Sequence, residues 1–160
     1  MNVDATLRAH LSKALDWADA HVDFKSAVAG VPPALRGAKP AGAPHSAWEL
    51  LEHLRLSQED ILDFCRNPEY EEGNWPADYW PASATPPDDG AAWDASVAAF
   101  RRDLDALKAL ASDTALDLFS TIPHGTGQTY LRELLLVIDH NSYHIGQLVA
   151  LRRQLGSWPA

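Results

Sequence analysis

Residues 129–156, TYLRELLLVIDHNSYHIGQLVALRRQLG, read as one long helix, and that helix constrains everything else in the chain. Leu134, Val137, Ile138, Asn141, Ile145, Leu148, Leu151 and Leu155 recur at steps of three and four, the spacing of a broad helical face. Thr129, just after the turn-forming Gly125 and Gly127, can cap the start. Arg152 and Arg153 suit the last turn, and Gly156 with Pro159 ends it. A stripe this wide predicts a helix that is mostly buried, with other elements around it. His140 and His144 stand in its middle, about 6 Å apart along one face, with Val137 before them and Gln147, Leu148 and Leu151 after. Two imidazoles in a core need partners.

Three readings of the pair compete. Seven His in 160 residues would place roughly 0.3 such pairs by chance, so the spacing alone decides little. A second reading is two core histidines, each hydrogen-bonded to a neighbour such as Asp139, Asn141 or a residue of another helix. The third is a metal site, in which His at i and i+4 aim at one point and a third ligand arrives from a neighbouring helix. That reading requires another His on a buried face. In SAWELLEHLRLSQEDILDFC, Ser46 followed by Glu49 is a capping box that starts a second helix. Ala47, Leu50, Leu51, Leu54, Ile61, Leu62 and Cys65 mark its inner side, and His53 borders them. Glu49 lies one turn before His53 and Ser57 one turn after, so the three polar groups are expected to share an inward strip.

A His on the second helix, then His-x-x-x-His on the last followed by Gly-Gln-Leu, resembles the DinB/YfiT-like family of metalloenzymes. The resemblance covers essentially the whole chain in helix order and length. Its most specific part is DHNSYHIGQLVALRRQLG, preceded by IPHGTGQT. It implies a four-helix bundle, often dimeric, in which three His hold a divalent ion and water fills the open positions. Carried over residue by residue, the ligands would be His53, His140 and His144. Some relatives resemble transferases that use low-molecular-weight thiols such as bacillithiol or mycothiol. The resemblance implies the site more firmly than the reaction.

Composition narrows the partners. A chain of 160 residues is long enough for a single domain, 1–160, with a sizeable core, and too short for two comfortable ones. With 22 acidic against 13 basic residues and a net charge of −9, nucleic acid or an anionic membrane is an unsuitable partner, since both need a concentrated basic surface. No apolar run approaches the roughly 18 residues of a membrane span, and the first residues lack a secretory pattern, so a cytoplasmic location is expected. The single Cys65 excludes an internal disulfide and a Cys-rich metal site, and is expected to be a core thiol.

Elsewhere, a first helix is expected from Asp4 to Val28, with Leu7, Leu11, Leu15, Ala18 and Val22 on one face. His10 and His21 flank Trp17 on a second face and stand too far apart to share an ion. Residues 30–44 read as a loop rich in Gly and Pro. Residues 67–90 hold five prolines and six acidic residues with no Lys or Arg, which rules out one helix. Tyr70, Trp75, Tyr79 and Trp80 are too many aromatics for a solvated tether, so this crossover is expected to be ordered, either on its own helices as a lid or at the interface of a symmetric homodimer. The third helix, 91–111, has Trp93, Val97, Phe100, Leu104, Leu107 and Ala111 in period. Residues 118–122 are expected to be extended and 123–127 to turn, placing His124 in the loop that enters the last helix.

The chain has no His-Glu-x-x-His, no paired Glu-x-x-His, no Gly-rich phosphate loop and no Gly-x-Ser-x-Gly elbow. Three neutral imidazoles would leave the full +2 charge on an ion, which favours acidification of a bound water or thiol. The expectation is therefore an all-α four-helix bundle with a long irregular crossover between its second and third helices, and a mononuclear three-His site. Zn or Ni is the preferred ion, with Mn or Fe as alternatives. Glu49, His124 and Gln147 are the candidates for catalytic roles beside it. Transfer of a thiol to a small electrophilic molecule is the favoured reaction, ahead of hydrolysis. The rival from another class is a non-catalytic, stress-associated dimer that the ion merely braces.

Overall fold

The computed structural model describes residues 2–87 and 90–159. Asp88 and Asp89, at the end of the expected crossover, lie outside the described residues. The described chain is all-helical and contains no strand. Its α-helices are α1 (Val3–Ala14), α2 (Phe24–Val28), α3 (Ala47–Arg66), α4 (Ala91–Ser112) and α5 (Tyr130–Gln154), with short 3-10 turns at Pro33–Leu35 and Ala77–Tyr79. None is long and apolar enough to cross a membrane.

The helix ends follow from local chemistry. Ser46 Oγ accepts from the Glu49 N–H while the Glu49 carboxylate accepts from the Ser46 N–H, so both halves of the predicted capping box form and satisfy two orphan donors of α3. Thr129 caps α5 by accepting from the Arg132 N–H. α3 lies at the centre, packing against α4 on one side and α5 on the other, while α1 packs chiefly on α4. Leu51, Leu54, Phe100, Leu107, Leu134, Val137 and Leu148 fill the space between them. α5 is not buried on most sides, as the breadth of its apolar stripe suggested. Leu135 and Tyr143 are more than half exposed and, with Asp139, Gly146 and Ala150, form an outward strip.

The first helix also differs from expectation. It stops at Ala14, and a separate short helix begins at Phe24. Three aspartates explain the break. Asp16 pairs with Lys108 at 2.8 Å and Asp19 with Lys13 at 2.7 Å, while Asp23 caps α2 by accepting from the Ser26 N–H. The redirected chain lets Phe24 stack on Phe100 at 3.8 Å and brings the C-terminal end of α2 to Arg152. There the buried guanidinium donates to the Ser26 and Ala27 carbonyls, and it lies over the Trp158 ring. Arg8, likewise buried, donates to the Ala111 carbonyl in the last turn of α4 and to the carbonyls of Asp113 and Leu116 just beyond it. Both arginines cap a neighbouring helix and fix how the helices meet.

Residues 67–87 fold back onto the chain's own helices. The Tyr70 hydroxyl donates to Asp60 at 2.9 Å, the Ser46 hydroxyl donates to the Ala84 carbonyl at 2.6 Å, and Tyr79 is buried against α3. The expected extension at 118–122 reduces to one bridge between Thr121 and Thr129 that closes the turn before α5.

Candidate metal centre

α3 carries His53 with 2% of its surface exposed, and α5 carries His140 and His144 one turn apart. The three rings converge, with His53 edge to face against each of the other two. Their centroids stand 4.9 Å (His53 to His140), 4.5 Å (His53 to His144) and 4.5 Å (His140 to His144) apart. One nitrogen from each ring lies within 4.8 Å of the others, and Nε2 of His53 is 3.1 Å from Nε2 of His140.

Bonds behind the rings set which nitrogens face inward. His53 Nδ1 is 2.8 Å from the Tyr79 carbonyl. A carbonyl only accepts, so this nitrogen carries the proton and Nε2 presents a bare lone pair. Ser57 Oγ adds a longer contact of 3.4 Å to the same Nδ1. His144 Nδ1 donates in the same way to Gln147 Oε1 at 2.8 Å. Donors on a tetrahedral ion with bonds of about 2.05 Å stand roughly 3.3 Å apart, close to the His53–His140 separation. The alternative is a proton shared between those two rings, and it leaves the lone pair of His144 Nε2 unused. The donor set therefore fits a divalent ion, with outer partners of the kind that orient metal-bound imidazoles.

The electrostatics agree with neutral ligands. Burial, reinforced by the charges of His144 and His53, lowers the His140 pKa to about 4. Burial and then His53 lower His144 to about 4 as well. Burial also lowers His53, against the opposing pull of the Tyr79 carbonyl. Metal ligation needs unprotonated imidazole, and these rings already have it at neutral pH.

The crossover covers one side of the cluster. Trp80 stacks on His53 at 3.9 Å with the planes 4° apart, and His45 stacks on Trp80 at 3.9 Å, giving a sandwich of His45, Trp80 and His53. Trp75 remains 70% exposed at 6.3 Å from the His53 ring, and Tyr143 remains 64% exposed at 4.9 Å from the His144 ring. Three of the four crossover aromatics, Tyr70, Tyr79 and Trp80, are thus used within the chain.

The other candidates fall differently. Gln147 touches the cluster through His144. Glu49 does not: its carboxylate is held by the Ser46 N–H at 2.7 Å and by Lys39 at 2.8 Å, at the start of α3 rather than on an inward strip. His124 is exposed and bonds the Phe64 carbonyl at 2.8 Å, roughly 16 Å along α3 from His53. Its ring secures the turn before α5 to the end of α3. Cys65 is buried and its thiol is pushed up to about 12, chiefly by burial, so it stays protonated. His10 and His21 are exposed, and neither joins the cluster.

Sequence reasoning missed the Tyr79 carbonyl, the Trp80 ring and His45. A backbone acceptor leaves no mark in a sequence. The aromatic excess of the crossover was the signal for Trp80, and the position of His45 directly before the capping Ser46 was the signal for the other. A family described as the DinB superfamily matches residues 16–148. No curated protein and no solved structure matches the chain.

Proposed function

The chain belongs to the DinB superfamily, and from that premise we propose that it is a mononuclear metalloenzyme in which His53, His140 and His144 hold Zn²⁺ or Ni²⁺. The observation that carries this reading is the convergence of three neutral imidazoles from two helices, each within reach of one point. Four of the helices, α1, α3, α4 and α5, we read as a four-helix bundle with α2 as a spur. A divalent ion bound there supplies a +2 charge that lowers the pKa of a thiol or water in its open positions. The Tyr79 carbonyl and Gln147 hold the imidazoles in the tautomers that ligation needs, and Trp80 keeps water from one face of His53.

The favoured reaction is transfer of a low-molecular-weight thiol to a small electrophile. With a chlorodinitrobenzene as electrophile, the sulfur attacks the ring carbon that bears chlorine. A C–S bond forms, the C–Cl bond breaks, chloride leaves with the electron pair, and the thiol proton passes to solvent. The test is thioether formation with bacillithiol or mycothiol at neutral pH. The expected result is turnover that requires added Zn²⁺ or Ni²⁺ and is lost in His53→Ala. A protein that binds the ion fully yet never exceeds the uncatalysed rate with either thiol overturns the transferase reading and leaves hydrolysis or a bracing ion.

We also propose a homodimer, supported by the exposed aromatics Trp75 and Tyr143. Sedimentation equilibrium at micromolar concentration should return twice the chain mass, and a monomer there ends the proposal.

A further inference from the structure

The outward strip of α5 has an unusual make-up for a face in water. Its exposed positions from Leu135 to Ala150 are Leu135, Asp139, Tyr143, Gly146 and Ala150, with one charge among them. Exposed Arg153 continues the same line. At about 100° per residue, all of these lie within roughly 60° of Gly146 around the helix axis.

Gly146 has no role inside the chain that explains it. It stands mid-helix, where glycine is weaker than alanine, and a Cβ at that position would meet nothing within 4 Å. What glycine offers there is close approach by another backbone from outside. Asp139 and Arg153 flank it evenly, seven positions before and seven after. Neither enters an ion pair among the described residues, and roughly 21 Å of helix keeps them from pairing with each other.

We propose that this face is a twofold interface with a second copy of this chain, in which α5 packs antiparallel on the partner's α5 at Gly146. That register sets Asp139 opposite the partner's Arg153, and Arg153 opposite the partner's Asp139. Tyr143 then lies across from the partner's Ala150. Opposite charges equidistant from one glycine give the face the self-complementarity that an isologous contact requires. The charge pairs fix the register, while covering Tyr143 and its apolar neighbours supplies the attraction. Tyr143 also stands edge to face on His144 at 4.9 Å, so the interface backs onto a ring of the cluster. The assignment rests on the homodimer proposed above and names its face, α5 rather than the crossover.

Sedimentation equilibrium of the full chain at micromolar concentration tests it by charge reversal. Asp139→Lys and Arg153→Glu, each alone, set like charges opposite each other at both ends of the contact, and each should weaken the dimer at least about tenfold. An equal mixture of the two variants should regain the wild-type dissociation constant within about threefold, because every contact in the mixed dimer again pairs opposite charges. Gly146→Leu should also weaken the dimer at least about tenfold by blocking close approach, while circular dichroism shows the helices unchanged. A wild-type monomer overturns the interface together with the homodimer. A dimer indifferent to all three substitutions overturns this face and leaves the homodimer to another surface. Single variants that dissociate yet stay monomeric when mixed overturn the antiparallel register.

Discussion

Alanine at His144 is expected to cost more than about a hundredfold in affinity for Zn²⁺ or Ni²⁺, since removing even an outer partner of a ligand typically costs 10- to 100-fold. The loss should also appear as stability. An ion that binds only the folded protein, present at about a hundred times its dissociation constant, adds roughly 2.7 kcal/mol. For a chain of this size that is a rise in melting temperature on the order of 5–10 °C over the chelator-stripped protein. His144→Ala should melt at the same temperature with and without added ion. His10→Ala, on the exposed side of α1, should keep the full shift. Competition with a chromophoric chelator and scanning calorimetry read the two quantities independently. An unchanged affinity in His144→Ala, or no shift after verified removal of the ion, would contradict the three-His centre.

Metal-free protein should lose stability as pH falls from about 6.5 to about 4, the window set by the lowered imidazoles of His140 and His144. The sign follows from proton counting. In this window the unfolded chain, with ordinary histidines, binds protons that the folded chain refuses, so acid favours unfolding. Above the unfolded value the contribution is fully present, and below about 4 both states are protonated and the loss is complete. A shift of this size corresponds to roughly 3 kcal/mol for each imidazole, and the pair contributes less than twice that because their mutual repulsion is shared. Urea titrations of chelator-treated protein at the two ends of the window measure it. His140→Gln should flatten the dependence by about half. A metal-free protein equally stable at both ends would show that the rings are not held neutral by their surroundings.

The parts of this molecule legible in the sequence are those governed by periodicity and local caps. The Ser46 and Thr129 caps, the period of 91–111 and the His-x-x-x-His step each depend on residues a few positions apart, and the helices follow them. The convergence of His53 on that pair is a long-range fact, and its inference leaned on the family resemblance as well as on burial. The first helix was misread because a straight run of apolar positions ignores three aspartates whose pairings, with Lys108, with Lys13 and with the Ser26 N–H, accompany the break between Ala14 and Phe24. Glu49 was misplaced for a related reason: a capping carboxylate is already occupied and cannot also face inward. The crossover was the hardest to read, because tertiary contacts place Tyr79 and Trp80 without any repeating pattern.

His53 and His140 touch although 87 residues separate them, and the chain has only one cysteine. It therefore cannot form an internal disulfide, the usual covalent way to tie distant parts of a small domain. An ion shared by these rings would serve as a detachable staple across that long loop, stabilising the folded state that alone brings the rings together, whereas a covalent link acts by restricting the unfolded ensemble. Unlike a disulfide, it would tighten or release with the free metal concentration rather than with the redox state, making the lifetime of the folded protein a readout of metal supply.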